Sequence, residues 1–226
     1  MLIVAIDTSG RNGSVALCGG DAASFEAIEL CALEGGRYSA RLMPSIAEVL
    51  LHSNITKSQL DGLAVVDGPG SFTGLRVGLS TAKALCEVLG KPLAAVSMLE
   101  ALAVTHAREG EAVTAVLDAG RGEIYVREFQ MDEENPKLIR ESMPKLAEFL
   151  ARPPDAGTRF VTPFPKIAEA LAQTGRDATL VPPLQADAVG RIGLRKLLSG
   201  DVADPATLDA NYIRRSDAEL YSPPKR

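Results

Sequence analysis

Two aspartates, Asp7 and Asp118, each end a short apolar stretch typical of a buried strand, and a glycine-containing turn follows each. A carboxylate in this position can hold a water-bound magnesium ion beside a phosphate, and the backbone N–H groups of the turn can bind the phosphate itself. The alternative is that each aspartate only caps its own turn, a common role for Asp side chains. The residues that phosphate binding would use are Asp7, Thr8, Ser9, Asp118 and Gly120.

The segments around the two aspartates are similar to each other. IVAIDTSGRNGSVAL in the first half and VTAVLDAGRGEIYV in the second share a buried strand, a closing acidic residue, a turn and an amphipathic strand. We interpret this as an internal duplication and expect two halves, residues 1–108 and 109–226. Two such turns that face each other across a cleft form the nucleotide site of actin-like phosphotransferases. Chance similarity of two hairpins is the alternative.

Composition limits the classes of function. The chain has 226 residues and a net charge of −5, which argues against broad non-specific binding to nucleic acid. Its three cysteines lie in apolar stretches and are odd in number, which is typical of free thiols in a reducing compartment. The N-terminus lacks signal-peptide features, and no apolar run approaches the roughly 18 residues of a membrane span. We therefore expect a cytoplasmic protein that does not contact a membrane.

Several common catalytic and cofactor motifs are absent from the sequence. There is no G-x-x-x-x-G-K-[ST] phosphate loop, no G-x-G-x-x-G dinucleotide motif and no G-x-S-x-G nucleophile motif. The two histidines, His52 and His106, lie on separate predicted helices without metal-ligand spacing. We therefore expect no metal site.

Residues 65–89 contain a strand, a forced Gly-Pro-Gly turn and a long predicted helix. Along that helix Gly74, Gly78 and Ala82 recur every four residues, so one side of it is nearly bare. This side could pack against a partner or against the sheet of the chain itself. An earlier amphipathic helix is predicted within residues 39–53, and Pro44 suggests that it begins nearer Met43.

The segment GPGSFTGLRVGL, Gly68 to Leu79, resembles the bacterial TsaB (YeaZ) family. Weaker similarities follow in order along the chain: IDTS at Ile6–Ser9, SMLEALA at Ser97–Ala103, DAGRGEIY at Asp118–Tyr125 and YIRRSDAE at Tyr212–Glu219. The resemblance implies an α/β, actin-like and Hsp70-like ATPase fold (ASKHA, ribonuclease H-like) with two related halves. It also implies a part in making threonylcarbamoyladenosine beside the anticodon of tRNA. In that machinery the paralogue TsaD is the transferase, TsaB is its non-catalytic partner, and the ATPase TsaE joins them.

One difference from the paralogue bears on catalysis. Where TsaD has the metal motif H-x-x-x-H, this chain has Met98 and Leu102, and neither side chain replaces imidazole as a ligand for a hard metal. This favours a scaffold over a catalyst, and the resemblance therefore implies no catalytic residue and no cofactor. A histidine that family members often have near Tyr38 is also absent, which leaves any role of that histidine in doubt for this chain.

The family resemblance further implies that the first helix and the central helix contact TsaD, or a second copy of the chain when TsaD is absent. The chain would then reach tRNA only through the complex. The residues expected at this interface are Leu42, Ile46, Gly74, Leu75, Gly78, Leu79 and Ala82.

Three functions follow from these patterns. The first is a non-catalytic subunit that binds and activates TsaD. The second is a free-standing ATP-dependent phosphotransferase that uses Asp7 and Asp118. The third is a glycoprotease-like metallopeptidase, against which the missing metal-ligand spacing counts strongly.

Overall fold

The computed structural model of the chain describes residues 1–132, 136–154 and 157–211. The strands are β1 (Leu2–Asp7), β2 (Gly13–Gly20), β3 (Phe25–Leu33), β4 (Gly62–Gly68), β5 (Leu93–Ser97), β6 (Ala112–Gly120), β7 (Glu123–Met131), β8 (Pro136–Ser142), β9 (Thr158–Thr162) and β10 (Asp177–Leu180). The helices are α1 (Tyr38–His52), α2 (Phe72–Leu89), α3 (Met98–His106), α4 (Leu146–Leu150), α5 (Pro165–Gln173) and α6 (Ala186–Ser199). Among the described residues, no helix is both long and apolar enough to span a bilayer.

The first of two units comprises Met1–Thr105 and Pro183–Ala210. Its sheet has the order β3-β2-β1-β4-β5. Strands β1, β4 and β5 pair in parallel, and β2 pairs antiparallel with both β1 and β3. Helix α1 packs on β2 and β3, and α2 packs on β4. The strands β1 and β4 are almost wholly buried and apolar, as expected for central strands covered on both faces.

Helix α6 belongs to this first unit although it follows the second unit in sequence. It packs on β1, β2, β4 and β5, and the Ser14 hydroxyl oxygen accepts a hydrogen bond from the N–H of its first residue, Ala186, at 2.8 Å. A Cβ at Gly193 would lie 2.2 Å from the Cβ of Ala64, so only glycine lets the helix come this close to the sheet. The expected halves, 1–108 and 109–226, differ from these units, because the apolar face of α6 is buried by the first sheet.

Among the described residues, the second unit comprises His106–Pro182 and Asn211. Its sheet has the order β10-β9-β6-β7-β8. Read from the other edge, this is an antiparallel meander of three strands followed by two parallel ones, the same arrangement as in the first unit. The shared topology confirms the two related halves. The core of this unit consists of Val116, Ile124, Val126, Phe149, Phe160, Ile167 and Leu171.

A buried arginine supports α4 in the second unit. The Arg176 guanidinium donates to the carbonyls of Phe149 and Arg152 at 3.0 and 2.7 Å, at the C-terminal end of that helix. Carbonyls at a helix C-terminus lack intrahelical donors and carry partial negative charge, so they suit a cation. A short helix of five residues is stabilised in this way.

Helix α1 begins earlier than its proline suggests. It starts at Tyr38, so Pro44 lies well inside the helix and the expected start near Met43 is wrong. A proline there leaves the carbonyl of Ala40 without its usual N–H donor. Both Ala40 and Pro44 are exposed, so water can replace that donor and the helix tolerates the proline.

Candidate functional site

The turn after β1 is closed by its own side chains. Asp7 is 3% exposed, and its Oδ1 accepts hydrogen bonds from the Ser9 N–H at 2.8 Å and from the Ser9 hydroxyl at 2.7 Å. Burial raises the pKa of the Asp7 carboxyl, and the two hydrogen bonds from Ser9 oppose this rise. The carboxylate is therefore a desolvated turn cap in this structure, which agrees with the alternative given for it above.

Thr8 and Ser9 join this turn to the start of α2. The Thr8 hydroxyl donates to the Gly74 carbonyl at 2.8 Å, and the Ser71 N–H donates to the Ser9 carbonyl at 2.6 Å. The Ser71 hydroxyl in turn accepts from the Gly74 N–H at 3.3 Å and caps the helix. Since Thr8 and Ser9 are both buried, their polar groups are directed to the protein rather than to solvent.

The bare side of α2 faces this turn. A Cβ at Gly74 would lie 2.0 Å from the Thr8 carbonyl oxygen, and one at Gly78 would lie 2.3 Å from Thr8 Oγ1. Real Cβ atoms do not approach other atoms this closely, so the glycines are what allows the turn to lie on the helix. Ala82 continues the same side and is fully buried. The structure therefore places the small-residue side against the chain itself, the second of the two interpretations left open.

The seven residues expected at a partner interface all lie in the interior of the first unit. They are buried in α1 and α2: Leu42, Ile46, Gly74, Leu75, Gly78, Leu79 and Ala82. Their role at an interface stays a prediction, but in this conformation their side chains do not reach the surface. The family resemblance indicated the two helices, and the residues were chosen as apolar or small residues along them. Such residues also mark the face of a helix that packs on its own core.

A second apolar face on α1 was missed by this reasoning. Ala40, Met43, Pro44, Ala47 and Leu51 are all exposed and recur every three or four residues, so they form one stripe along the helix. We call these five residues the α1 outer stripe. Met43 is 49% and Leu51 is 74% exposed. The sequence carries a signal for this stripe, because α1 is apolar on two sides. A helix that only covers a core has a polar outer face.

Tyr38 fixes α1 to the turn after β1. Its hydroxyl donates to the Gly10 carbonyl at 3.0 Å, and a Cβ at Gly13 would lie 2.9 Å from its ring. The turn thus contacts the first residue of α1 as well as the first turns of α2. The α1 outer stripe is therefore carried by a helix whose start is held in place.

The corresponding turn in the second unit differs from the first in exposure. Asp118 is exposed, and its Oδ1 accepts a hydrogen bond from the Gly120 N–H at 2.8 Å. Gly120, Arg121 and Gly122 all have left-handed φ angles, of 76°, 55° and 78°. Asp118 caps its own turn in this structure, and a role of either aspartate in nucleotide binding stays a prediction.

The two positions compared with the metal motif of the paralogue lie in α3. Met98 and Leu102 are both buried in the core. His52 ends α1, where its Nδ1 lies 3.2 Å from Glu29 Oε1, and His106 ends α3. The structure assigns these four side chains to packing and to helix ends.

Comparison with known proteins shows which family this chain resembles. A family model described as "TsaD: tRNA N6-adenosine threonylcarbamoyltransferase" matches residues 34–204. The "tRNA threonylcarbamoyladenosine biosynthesis protein TsaB" of Escherichia coli K12 is 34% identical over 161 residues, which are 65% of this chain and 68% of that protein. The protein of the same description from Bacillus subtilis 168 is 35% identical over 130 residues, 58% of this chain and 56% of that one. The alignment thus spans just over half of the Bacillus relative.

A solved structure supports the fold. YeaZ from Pseudomonas aeruginosa superposes with a TM-score of 0.71 over 92% of this chain and 99% of its own, at 21% identity. Together with the two five-stranded mixed sheets, this likeness confirms the expected actin-like fold class. Because the family model matches most of the chain, and because more than two thirds of the Escherichia coli protein aligns with it, the chain belongs to the TsaD family of tRNA threonylcarbamoyltransferases and, within it, to the TsaB (YeaZ) branch.

Proposed function

We propose that this chain is a non-catalytic subunit in the biosynthesis of threonylcarbamoyladenosine in tRNA, and that it binds and activates a TsaD paralogue through the α1 outer stripe. The names of its relatives support the pathway. The single observation that carries the mode of action is the exposed apolar stripe on α1. Exposed apolar surface of this kind commonly marks a site of protein–protein contact.

The chemistry of the stripe suits a helix of a related chain as partner. Met43 and Leu51 offer large apolar side chains, while Ala40 and Ala47 are small enough for a second helix to approach closely. A shared fold gives TsaD equivalent helices to present. Because Tyr38 holds the start of α1, little conformational order has to be gained on binding, which favours affinity.

The turn after β1, which Asp7 and Ser9 close, favours a non-catalytic scaffold over an enzyme. A carboxylate that carries a hydrated magnesium ion needs solvent access, whereas Asp7 is buried and bonded to Ser9. The rival function, an ATP-dependent phosphotransferase, is tested by measuring ATP hydrolysis by the purified chain with magnesium. Substantial turnover that Asp7→Ala abolishes would replace the scaffold proposal.

The same stripe accounts for the other expected partners. Without TsaD, we expect a second copy of the chain to occupy the stripe, so that the homodimer and the TsaD complex exclude each other. TsaE would join after TsaD has bound, and tRNA would be reached through the complex, in keeping with the net charge of −5. A cytoplasmic location is part of the same proposal, and the three free cysteines are consistent with it.

Leu51→Glu is the direct test of the stripe. A glutamate there would be desolvated at the interface without a partner, so we expect affinity for TsaD to fall at least about ten-fold. Leu51 is exposed in the monomer, so the melting temperature of the monomer, measured at a concentration too low for the homodimer, should change little. Binding is measured by calorimetry with the TsaD of the same genome.

Ile139→Glu is the matched control. Ile139 is an exposed apolar residue of β8 in the second unit, at 59% exposure, and its replacement should leave TsaD binding unchanged. Equal affinities for the Leu51→Glu variant and the unmodified chain would contradict the proposal. Equal losses in both variants would show that a general charge effect was measured.

A further inference from the structure

A cleft in the first unit lies between the end of β3 and the start of α1. Ala32 and Glu34 line it from the β3 end, and Arg37 and Arg41 line it from the α1 end. Its volume of about 360 Å³ falls within the range of roughly 300–1,000 Å³ that is typical of sites for small ligands. All four residues are exposed, so a ligand can enter the cleft directly from solvent.

Backbone contacts hold both walls of this cleft in place. Ala32 pairs with Ser14 of the neighbouring strand β2. Beyond the strand, the backbone at Gly35 lies on the turn after β1, since a Cβ there would be 1.7 Å from the Arg11 carbonyl oxygen. The hydroxyl of Tyr38 ties the start of α1 to the same turn. The cleft is therefore formed before a ligand arrives, and little order has to be gained on binding.

The two arginines bring positive charge to the cleft in a chain whose net charge is −5. Within the part of the chain that the structure describes, the Arg37 side chain makes no hydrogen bond or ion pair. The Arg41 guanidinium lies 3.7 Å from Glu48 Oε1, but these side chains are 49% and 42% exposed. Solvent screens an exposed pair of this kind, so it holds Arg41 only weakly. Both guanidinium groups can therefore turn toward an anion.

The number and type of these groups indicate which anion fits. A carboxylate has two oxygens and one negative charge, which a single guanidinium fork can match. A phosphate monoester has three terminal oxygens and a charge of about −1.5 to −2 near neutral pH, so it can engage both Arg37 and Arg41. Glu34 adds a group that, when ionised, only accepts hydrogen bonds. A ligand hydroxyl group would donate to it.

We propose that this cleft binds a phosphate monoester that also carries hydroxyl groups, the chemistry shared by sugar phosphates and nucleotides. Arg37 and Arg41 bind the phosphate, and Glu34 accepts a hydrogen bond from a hydroxyl group of the ligand. No residue of the α1 outer stripe lines the cleft, and binding needs no TsaD. This inference therefore goes beyond the proposed function and does not depend on it.

NMR titration of the full-length chain with ribose 5-phosphate tests the phosphate contacts. The side-chain Nε–H signals of Arg37 and Arg41 should shift and saturate. Arg37→Ala/Arg41→Ala should weaken binding at least about ten-fold, because charge-assisted hydrogen bonds are lost. Both positions are exposed, so the variant should keep its melting temperature.

Lys57→Ala is the matched control, because Lys57 is an exposed cation that lies beyond the other end of α1. Its affinity for ribose 5-phosphate should equal that of the unmodified chain. Shifts that do not saturate, or an equal loss of affinity in the arginine and lysine variants, would overturn the inference. Such results would show that only general attraction between charges was measured.

Companion ligands test the two halves of the proposed chemistry. Ribonate, which has a carboxylate in place of the phosphate, should bind at least about ten-fold more weakly than ribose 5-phosphate. Glu34→Ala should weaken ribose 5-phosphate relative to inorganic phosphate by about three-fold or more. Equal binding of ribonate would overturn the phosphate assignment, and an unchanged ratio would overturn the role of Glu34.

AMP separates the two sources of this chemistry. Tighter binding of AMP than of ribose 5-phosphate would support the inference and assign the cleft to nucleotides, whereas equal binding would support it and assign the cleft to sugar phosphates. The Leu51→Glu variant should bind ribose 5-phosphate as the unmodified chain does. A failure of the proposed function at the α1 outer stripe would thus leave these results unchanged.

Discussion

At the scale of single residues, Asp7 is buried and bonded within its own turn. Its carboxylate lies at the end of a buried strand, where a phosphate-binding acid would be expected, yet Oδ1 is bonded to the N–H and hydroxyl of Ser9. A buried ionised carboxylate is costly unless hydrogen bonds compensate for lost hydration. The raised pKa of Asp7 indicates that the two bonds from Ser9 compensate only in part.

This gives a pH-dependence with a definite sign. The folded-state pKa of Asp7 lies above the ordinary value of 3.8, so the folded chain takes up the proton before the unfolded chain does. Ionised Asp7 therefore costs stability above the folded pKa, and that cost is relieved as the pH falls from there toward 3.8. Asp7→Asn has no such proton, so its stability relative to the unmodified chain should be greatest near neutral pH and decline on acidification.

Urea unfolding of both proteins, near neutral pH and at successively lower pH, measures this difference. Asp21→Asn is the control, because Asp21 is exposed and the hydrogen bonds from Ala23 and Ser24 lower its pKa. For a lowered pKa the sign is reversed, since the stability that ionised Asp21 contributes is lost as the pH falls. A stability difference for Asp7→Asn that does not vary with pH would contradict the assignment.

At the scale of elements, the contact between α2 and the turn after β1 depends on two glycines. Gly74 and Gly78 let the Thr8 backbone and hydroxyl lie directly on the helix. The same turn contacts Tyr38 at the start of α1. One turn therefore sets the position of both helices, including the helix that carries the α1 outer stripe.

Gly78→Leu tests whether this side of α2 is internal. A side chain there must displace Thr8, whose hydroxyl is already bonded to Gly74, so we expect a loss of about 2–4 kcal/mol in the free energy of unfolding. Ser80→Leu, at an exposed position of the same helix, should change it by less than about 0.5 kcal/mol. A Gly78→Leu variant of normal stability that has lost only TsaD binding would restore the docking interpretation.

At the scale of the whole molecule, the two units are not two consecutive halves of the sequence. The first unit is completed by Pro183–Ala210, which follow the second unit in sequence. Helix α6 lies on the face of the first sheet opposite α2, since Gly193 faces Ala64 while Gly78 faces Val65, the adjacent residue of β4. Without α6 that apolar face would be exposed to water.

A fragment of residues 1–108 should therefore not fold on its own. It has the strands and the helices α1 and α2 but lacks the cover that α6 supplies through Val189, Ile192, Leu194 and Leu197. Joining residues 183–211 to this fragment through a flexible linker should restore cooperative thermal unfolding, which circular dichroism would detect. A fragment 1–108 that unfolds cooperatively without this addition would instead support the boundary expected from the sequence.

Most of the helices and strands can be predicted from residues that lie close together in the sequence. The apolar period of 3.6 residues predicts α1 and α2, Gly90 ends α2 in the left-handed conformation, and the repeated strand–acid–turn pattern predicts the two halves with matching sheets. The resemblance of the segment Gly68–Leu79 and of the weaker matches along the chain indicated the family. Each of these signals is carried by residues that lie close together in the sequence.

The tertiary structure alone decided which surfaces are available. Periodicity shows that a helix has an apolar face, but not whether another exposed apolar stripe remains, as it does at Met43 and Leu51. It does not show that Thr8 fills the bare side of α2, nor that α6 returns to the first sheet. These outcomes depend on contacts between residues far apart in sequence. The burial of Asp7 and the exposure of the α1 outer stripe therefore became visible only in the folded chain.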